Sequence, residues 1–147
     1  MADIARNRQA AYKYNFLEKW EAGMQLQGSE VKSMRNGGVQ LKDAFATVHD
    51  GEVWLHNMHI APYAPASREN HEPERERKLL LHKGEIERLI GRTAEKGLTL
   101  IPTRLYWKNG RAKVEIALAR GKNVQDKRRY LKEKDARREI QQALQDR

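Results

Sequence analysis

The sequence of 147 residues lacks several features that mark common classes of protein. It contains no cysteine, which excludes disulfide bonds and thiol chemistry. It has no run of about 18 apolar residues, which a membrane-spanning helix would need, and residues 1–8 hold no hydrophobic core of a signal peptide. Together these absences favour a cytoplasmic protein that has no membrane partner.

The sequence also lacks a convincing catalytic or metal-binding constellation. His56 and His59 lie on opposite faces if this segment is a strand, so their spacing completes no zinc site. The serines lie in no recognisable strand–turn–helix elbow, and Asn36-Gly37-Gly38 lacks the residues that complete a phosphate-binding loop. We therefore expect no enzyme activity, no catalytic residues, no metal and no cofactor.

Positive charge is what the sequence has in excess. There are 29 Lys and Arg against 20 Asp and Glu, for a formal net charge of +9. Residues 120–147 hold ten of the basic and five of the acidic residues, so more than half of the net charge lies in the last fifth of the chain. This excess favours a polyanionic partner, nucleic acid ahead of an anionic membrane surface. The composition predicts a domain at 1–121 and a basic C-terminal tail at 122–147.

Alternating apolar residues predict antiparallel strands in the first of these regions. The turns at 49–52 and at Asn109-Gly110 each separate two alternating runs, which predicts two hairpins. Tyr12, Tyr14 and Phe16 are predicted to share one face of a leading strand that Gly23 interrupts. We therefore expect a mainly β protein, a small OB-like antiparallel barrel.

Two to three helices are expected to flank this barrel. Ser29 is placed to cap a short helix, and a second helix is predicted within 79–96. The segment from Pro62 to Lys78 is rich in charge and proline, which predicts a long connection on the surface. From Tyr130 onward helix-forming residues dominate, but Ile140 and Leu144 supply little apolar surface to offset the ordering entropy. We expect a tail that is disordered when free and helical when bound.

The residue types of the charged connection suit RNA. Arg75, Arg77 and Lys78 can neutralise phosphates, whereas His71 and His82 offer flat surfaces to unpaired bases. Aromatic residues on predicted strands offer further stacking surfaces, although alternation leaves open which of them are exposed. These aromatic residues are Tyr12, Tyr14, Trp20, Trp54, Tyr106 and Trp107.

Four sequence blocks resemble the SsrA-binding protein (SmpB) family. They are EAG at 21–23, GSEVKSMR at 28–35, NHEPERERKLLLH at 70–82 and GKNVQDKR at 121–128. The resemblance implies an OB-like barrel and a non-catalytic adaptor of trans-translation. Such an adaptor binds the tRNA-like domain of transfer-messenger RNA (tmRNA) and brings it, together with elongation factor Tu bound to that RNA, to stalled ribosomes. Its tail enters the empty messenger channel and contacts the ribosomal RNA of the small subunit.

The resemblance also assigns candidate site residues. Glu21, Leu80 and Lys113 would form part of the RNA-binding face, and the other RNA-binding candidates are Lys32, Arg35, His71, Arg75, Arg77, Lys78 and His82. The ribosome-contacting candidates of the tail are Gly121, Lys122, Asp126, Lys127, Arg128 and Leu144, with Gly121 and Lys122 as a hinge. Asp126 is expected to cap the tail helix. Many relatives carry an aromatic residue or His where this chain has Gln125, so a stacking role at that position is not expected.

Two alternatives stay open at this point. A structural ribosomal protein would have the same basic barrel and the same tail that folds on rRNA, but it would co-purify with every subunit. A small nuclease acting through His71 or His82 would cleave the RNA that it binds.

Overall fold

The computed structural model describes residues 3–63 and 70–145, and within them the chain forms nine strands and four helices. The strands are β1 (Asp3–Arg6), β2 (Tyr14–Met24), β3 (Val39–Gln40), β4 (Phe45–His49), β5 (Glu52–His56), β6 (His59–Ile60), β7 (Arg77–Leu80), β8 (Leu98–Lys108) and β9 (Arg111–Gly121). The helices are α1 (Arg8–Lys13), α2 (Gly28–Arg35), α3 (Lys83–Thr93) and α4 (Val124–Gln145).

Six antiparallel strands pair in a closed order. The sheet runs β8-β4-β5-β7-β2-β9, and β9 pairs again with β8, while β1 adds to the edge of β8. The closure is weakest between β4 and β8, where a single pair joins Ala46 to Leu100. A closed ring leaves few unpaired backbone groups at its edges. The predicted mainly β, OB-like architecture with up to three flanking helices is confirmed, and β3 and β6 form a separate two-stranded sheet.

The core fills the inside of this ring. Along β9, Val114 and Ile116 point inward and are fully buried, whereas Lys113 and Glu115 alternate outward. The same period of two along β2 buries Ala22 and exposes Glu21 on the outer face. One strand therefore supplies both the core and the outer surface.

Both predicted hairpin turns are present. Asp50 and Gly51 link β4 to β5, and Asn109 and Gly110 link β8 to β9. All four residues have positive φ, between 51° and 74°. This is the geometry of a two-residue turn whose twist matches that of the flanking strands, and Asn, Asp and Gly are the residues that tolerate it.

Three local predictions near the N-terminus are wrong. Tyr12 lies in α1, because Asn7 accepts a hydrogen bond from Ala10 N and starts a helix there. Strand β2 continues through Gly23 without interruption. Ser29 does not cap α2, because Gln27 is its N-cap and the Glu30 side chain accepts from Gln27 N at 2.8 Å.

The predicted surface connection also contains a strand. Residues 64–69 lie outside the described part of the chain, but Arg77–Leu80 forms β7 in the middle of the sheet, between β5 and β2. This strand was not predicted because Arg77 is charged and does not fit an alternation of apolar residues. Its partner, Glu30, lies 47 residues earlier, and local sequence carries no sign of the pairing.

The C-terminal helix begins earlier than the prediction of a start at Tyr130. Helix α4 starts at Val124 and spans 22 residues, a length of about 33 Å at 1.5 Å per residue. Among the described residues, none of the helices combines the length and apolarity needed to cross a bilayer.

Candidate RNA-binding surface and basic helix

Glu21, Leu80 and Lys113 converge on one patch of the barrel's outer surface. They lie on β2, β7 and β9, and β2 is the middle strand of the three. Gly23 pairs with Leu80 on one side and with Lys113 on the other. A Cβ at Gly23 would lie 3.4 Å from Leu80 Cβ and 3.6 Å from Lys113 Nζ, so the absence of a side chain there keeps the floor of the patch open. We call these four residues the Gly23 patch.

The carboxylate of Glu21 is held in place at the edge of the Gly23 patch. Tyr106 donates a hydrogen bond to it, and Lys108 Nζ lies 3.1 Å from Oε1. The hydrogen bond from Tyr106 and the charge of Lys108 hold the pKa of Glu21 below its usual range. Burial, together with the hydrogen bond to Glu21, raises the pKa of Tyr106 to about 12. At neutral pH the site therefore presents an oriented hydrogen-bond acceptor, which suits ribose hydroxyls and base amino groups.

Two depressions flank the exposed side chain of Leu80. One is lined by polar groups of α3 and its N-cap, His82 and Glu85, in addition to Glu21. The other has apolar walls from Met24, Leu26, Val31, Trp107 and Ala112, with Arg111 and Lys113 alongside. Arg35 lies over the ring of Trp107, 5.7 Å from its centroid. An apolar wall beside cations can receive a base and its phosphate together.

Helix α2 places Lys32 and Arg35 on one exposed face, because they are three residues apart. Lys32 Nζ lies 5.7 Å from the ring centroid of Tyr63, and Arg35 lies over Trp107. Both predicted candidates are thus exposed cations held against aromatic rings. His82 is exposed as well, at the N-cap of α3.

Two of the predicted RNA-binding residues lie in the interior, which corrects the sequence-based assignment. The Arg77 side chain is 0% exposed and donates to Glu30 Oε2 at 2.5 Å and to Met58 O at 2.5 Å. His71 is 5% exposed, with Nδ1 2.9 Å from Ser29 Oγ and Nε2 2.8 Å from Ile60 O. Neither side chain can reach a phosphate or a base from this position.

The buried Glu30 and Arg77 form an ion pair that joins α2 to β7. Burial alone would raise the pKa of Glu30, but hydrogen bonds from Gln27 N, Arg75 and Arg77 outweigh it, and the pKa lies below its usual value. Burial lowers the pKa of Arg77, and Glu30 opposes this shift. Both partners are fully desolvated, so each depends on the other for compensation.

Arg75 and Lys78 are half-buried and take part in contacts within the barrel. Arg75 Nη2 lies 2.5 Å from Glu30 Oε1, and Lys78 Nζ lies 3.0 Å from Glu52 Oε1. About a third of each side chain is exposed, 29% for Arg75 and 31% for Lys78. These two residues can still face a ligand at the surface, with reduced freedom.

The base of α4 is attached to the barrel, which differs from the predicted hinge. Gly121 pairs with Tyr14 at the end of β9, and Lys122 N donates to Lys13 O at 2.8 Å. Asn123 Oδ1 accepts from Asp126 N at 2.8 Å, so Asn123 and not Asp126 caps the helix. Asp126 lies in the first turn, where its negative charge suits the helix dipole.

Beyond its first two turns α4 projects away from the barrel. Every residue from 131 to 145 is exposed, and Ile140 and Leu144 are about 60% exposed (61% and 60%). Within residues 3–63 and 70–145, no cation of α4 lies within 4.0 Å of a carboxylate. Over the same residues no cluster of three or more ligating side chains could hold a metal ion.

These features define a class of protein: a small basic β-barrel with a surface patch of mixed charge and a projecting basic helix. The sequence profile described as "SmpB protein" matches residues 4–146, and the chain belongs to the SmpB family.

Tyr106 was predicted only as a stacking candidate and Lys108 was missed, because their contact with Glu21 depends on strand register.

Relatives agree with this assignment along nearly the whole chain. An SsrA-binding protein of Carboxydothermus hydrogenoformans is 57% identical over 141 residues, 96% of this chain and 95% of that relative. An SsrA-binding protein of Bacillus cytotoxicus is 58% identical over 144 residues, 98% of this chain and 93% of that relative. A solved structure described as "tmRNA-SmpB: a journey to the center of the bacterial ribosome" is 46% identical with a TM-score of 0.70, covering 88% of this chain and 95% of that one.

Proposed function

We propose that this protein is a cytoplasmic, non-catalytic adaptor of trans-translation. Its barrel binds the tRNA-like domain of tmRNA and delivers it to stalled ribosomes, so that the incomplete peptide is tagged for degradation. The names of its relatives, which share more than half of their residues with this chain, support binding to SsrA RNA. The similar solved structure of tmRNA with SmpB supports action on the ribosome.

The convergence of three chemically different side chains on the Gly23 patch carries this proposal. The Lys113 ammonium can neutralise a phosphate, and the carboxylate of Glu21 can accept from a ribose hydroxyl or a base amino group. Leu80, which is 46% exposed, can pack against the face of a base or sugar. This mixture fits folded RNA whose loops present unpaired bases, better than it fits a uniform duplex.

Around this patch, the role that we propose for each residue depends on how exposed its side chain is. Lys32, Arg35 and His82 are exposed and can contact the RNA backbone or a base directly. Arg75 and Lys78 can add charge from half-buried positions. Arg77 and His71 support the interface from inside, by holding α2 and the segment before β7 in place.

The tail performs the second part of the proposed function. Helix α4 is about 33 Å long and carries exposed cations from Arg128 to Arg138, which suits entry into the empty messenger channel and contact with small-subunit rRNA. Gly121, Lys122, Asp126, Lys127 and Arg128 would lie at the channel entrance. Leu144 would make an apolar contact deeper inside, and the distal helix would be ordered by this contact. Elongation factor Tu would join through the RNA.

A matched pair of leucines tests the RNA-binding part. Leu80 and Leu17 are equally exposed, 46% and 47%, and only Leu80 belongs to the Gly23 patch. Replacing Leu80 with Ala should weaken binding of the tRNA-like RNA by about tenfold, the equivalent of about 1.4 kcal/mol. Leu17→Ala should leave the affinity unchanged, as measured by filter binding. Equal affinities for the two variants would place the RNA elsewhere on the barrel.

A further inference from the structure

The outer face of the barrel continues beyond the Gly23 patch onto β8 and β1. Strand β9 pairs with β2 on one side and with β8 on the other, and β1 adds to β8. In this ladder Tyr106 of β8 lies opposite Lys113 of the Gly23 patch, and Asp3 of β1 lies opposite Tyr106. A row of residues from four adjacent strands thus leads from the patch to the N-terminal strand.

The guanidinium of Arg104 lies over the ring of Tyr106. The Cζ atom of Arg104 is 4.4 Å from the ring centroid, within the range in which a cation and an aromatic ring attract each other. Two carboxylates on neighbouring strands hold the guanidinium there: Nη1 lies 3.2 Å from Asp3 Oδ1, and Nε lies 3.7 Å from Glu115 Oε2. Tyr106 is only 2% exposed, so the barrel and Arg104 together leave its ring little room to move.

Tyr106 in turn fixes one side of the Glu21 carboxylate. Its hydroxyl donates to Glu21 Oε2 from a buried position. The other donor, Lys108, is 42% exposed, and its Nζ lies 3.1 Å and 3.3 Å from the two carboxylate oxygens. A lysine on a flexible stem can turn away toward a phosphate, whereas a phenol on a packed ring cannot. The orientation of the carboxylate therefore depends on Tyr106.

Arg104 also acts on Glu21 by a second route, through Glu115. Glu115 lies directly opposite Glu21 in the pairing of β2 with β9, where two like charges repel each other. The Glu115 carboxylate is held by Thr103 of β8, whose Oγ1 donates to Oε2 at 2.5 Å. Arg104 Nε and Lys19 Nζ lie 3.7 Å and 3.9 Å from the same oxygen. These two cations offset the charge that would otherwise disturb Glu21.

We propose that Arg104 and Tyr106 are positioning residues for RNA recognition: Arg104 fixes the ring of Tyr106, and Tyr106 directs the Glu21 carboxylate at hydrogen-bond donors of the RNA. These donors are ribose hydroxyls or base amino groups, because a carboxylate accepts hydrogen bonds and repels phosphates. The inference rests on the proposed function, in which the RNA meets Glu21. Neither Arg104 nor Tyr106 needs to touch the RNA.

The pKa of Glu21 tests these contacts in the free, full-length protein. Tyr106→Phe removes the hydrogen bond that contributes most to the lowered pKa of Glu21, so this pKa should rise, as followed by the NMR shift of the carboxyl carbon. Arg104→Ala should raise it by a smaller amount. Arg6→Ala is the matched control and should leave it unchanged, because Arg6 and Arg104 both pair with Asp3 but, of the two, only Arg104 lies over the ring.

Two results of this titration would overturn the proposal. One is an unchanged pKa of Glu21 in either the Tyr106→Phe or the Arg104→Ala variant. The other is a rise in the Arg6→Ala control that is as large as the rise with Arg104→Ala.

Binding assays then separate positioning from direct contact. Tyr106→Phe and Arg104→Ala should each weaken binding of the tRNA-like RNA by about fivefold, because a misdirected acceptor forms a poorer hydrogen bond. The salt dependence of binding should stay parental, whereas loss of a phosphate contact would reduce its slope by about one unit. A reduced slope for Arg104→Ala would make Arg104 a direct phosphate contact and would contradict its positioning role.

A double-variant cycle tests whether Tyr106 acts through Glu21. In a Glu21→Ala background, Tyr106→Phe should cause no further loss of affinity, and losses that multiply would count against the proposal. If the pKa values behave as expected but the parent itself does not bind the tRNA-like RNA, the proposed function fails and the contacts that hold Glu21 stand.

Discussion

The barrel and the tail use positive charge in opposite ways. In the barrel, Arg77 is fully buried against Glu30, and surface cations such as Lys108 are paired with carboxylates. In the described part of α4, every cation except the partly buried Lys127 is exposed, and none has a carboxylate within 4.0 Å. The cations behind the net charge of +9 are therefore of two kinds, paired and unpaired with carboxylates. Some cations hold the fold together, and others are available to a polyanion.

The largest effect is expected from removal of the buried ion pair between Arg77 and Glu30. Arg77→Ala removes the fully buried partner of Glu30 and leaves it only the partly exposed Arg75, which should lower the free energy of unfolding by about 3–5 kcal/mol. Urea denaturation followed by circular dichroism measures it. Arg88→Ala is the matched control, because Arg88 pairs with Glu18 at 2.7 Å but is 63% exposed. Its expected cost is about 0–1 kcal/mol.

This pair of variants also decides the role of Arg77. If Arg77→Ala kept the parental stability and lost RNA affinity, the side chain would be a direct phosphate contact, as the sequence predicted. Because Arg77 is buried, we expect instead that the Arg77→Ala variant unfolds at a lower urea concentration than the parent.

A smaller effect is expected at alkaline pH. The pKa of Tyr106 is about 12 in the folded protein, above its ordinary value of 10.0. The neutral phenol is thus favoured by folding, so its contribution is complete below pH 10 and is lost as the pH rises from 10 to 12. We expect this loss to be about 1–2 kcal/mol, because Glu21 is partly solvated.

Tyr106→Phe isolates this contribution from the lysines that titrate in the same range. The difference in unfolding free energy between parent and variant should shrink as the pH rises from 10 to 12. A difference that stayed constant across this range would mean that the phenol of Tyr106 ionises equally in both states.

The smallest effect compares one cation from each region. Lys113→Ala should reduce the salt dependence of binding to the isolated tRNA-like RNA by about one unit of slope, as expected for one phosphate contact. Lys132→Ala, in the exposed part of α4, should leave that slope unchanged. Equal changes for the two variants would mean that barrel and tail share the same RNA surface.

The sequence alone predicted the two hairpin turns, which depend on neighbouring residues. The turns at Asp50-Gly51 and Asn109-Gly110 are confirmed, because positive φ is a local requirement. Strand β7 could not be predicted in this way, since Arg77 is acceptable in the interior only when Glu30 comes to it from another part of the chain. Asn123 was available as a helix cap in the sequence, but its neighbour Asp126 has a similar preference for that position.

Some residues of the candidate site could also be predicted from the sequence, and others could not. The grouping of Glu21, Leu80 and Lys113 came from the resemblance to a family, and the structure brings the three together around Gly23. The contact of Lys108 with Glu21 depends on the register of β2, β8 and β9, which no local pattern specifies. The contact of Tyr12 with Tyr130 joins residues more than 100 positions apart and could not be predicted from local sequence either.

The most direct test of a division of work between barrel and tail is deletion of residues 131–147, which leaves the Gly23 patch intact. Two quantities are measured on the same preparation: affinity for the tRNA-like domain of tmRNA, and peptide tagging on stalled ribosomes. The account predicts an affinity close to that of the full chain and no tagging. A loss of affinity as large as the loss of tagging would contradict it.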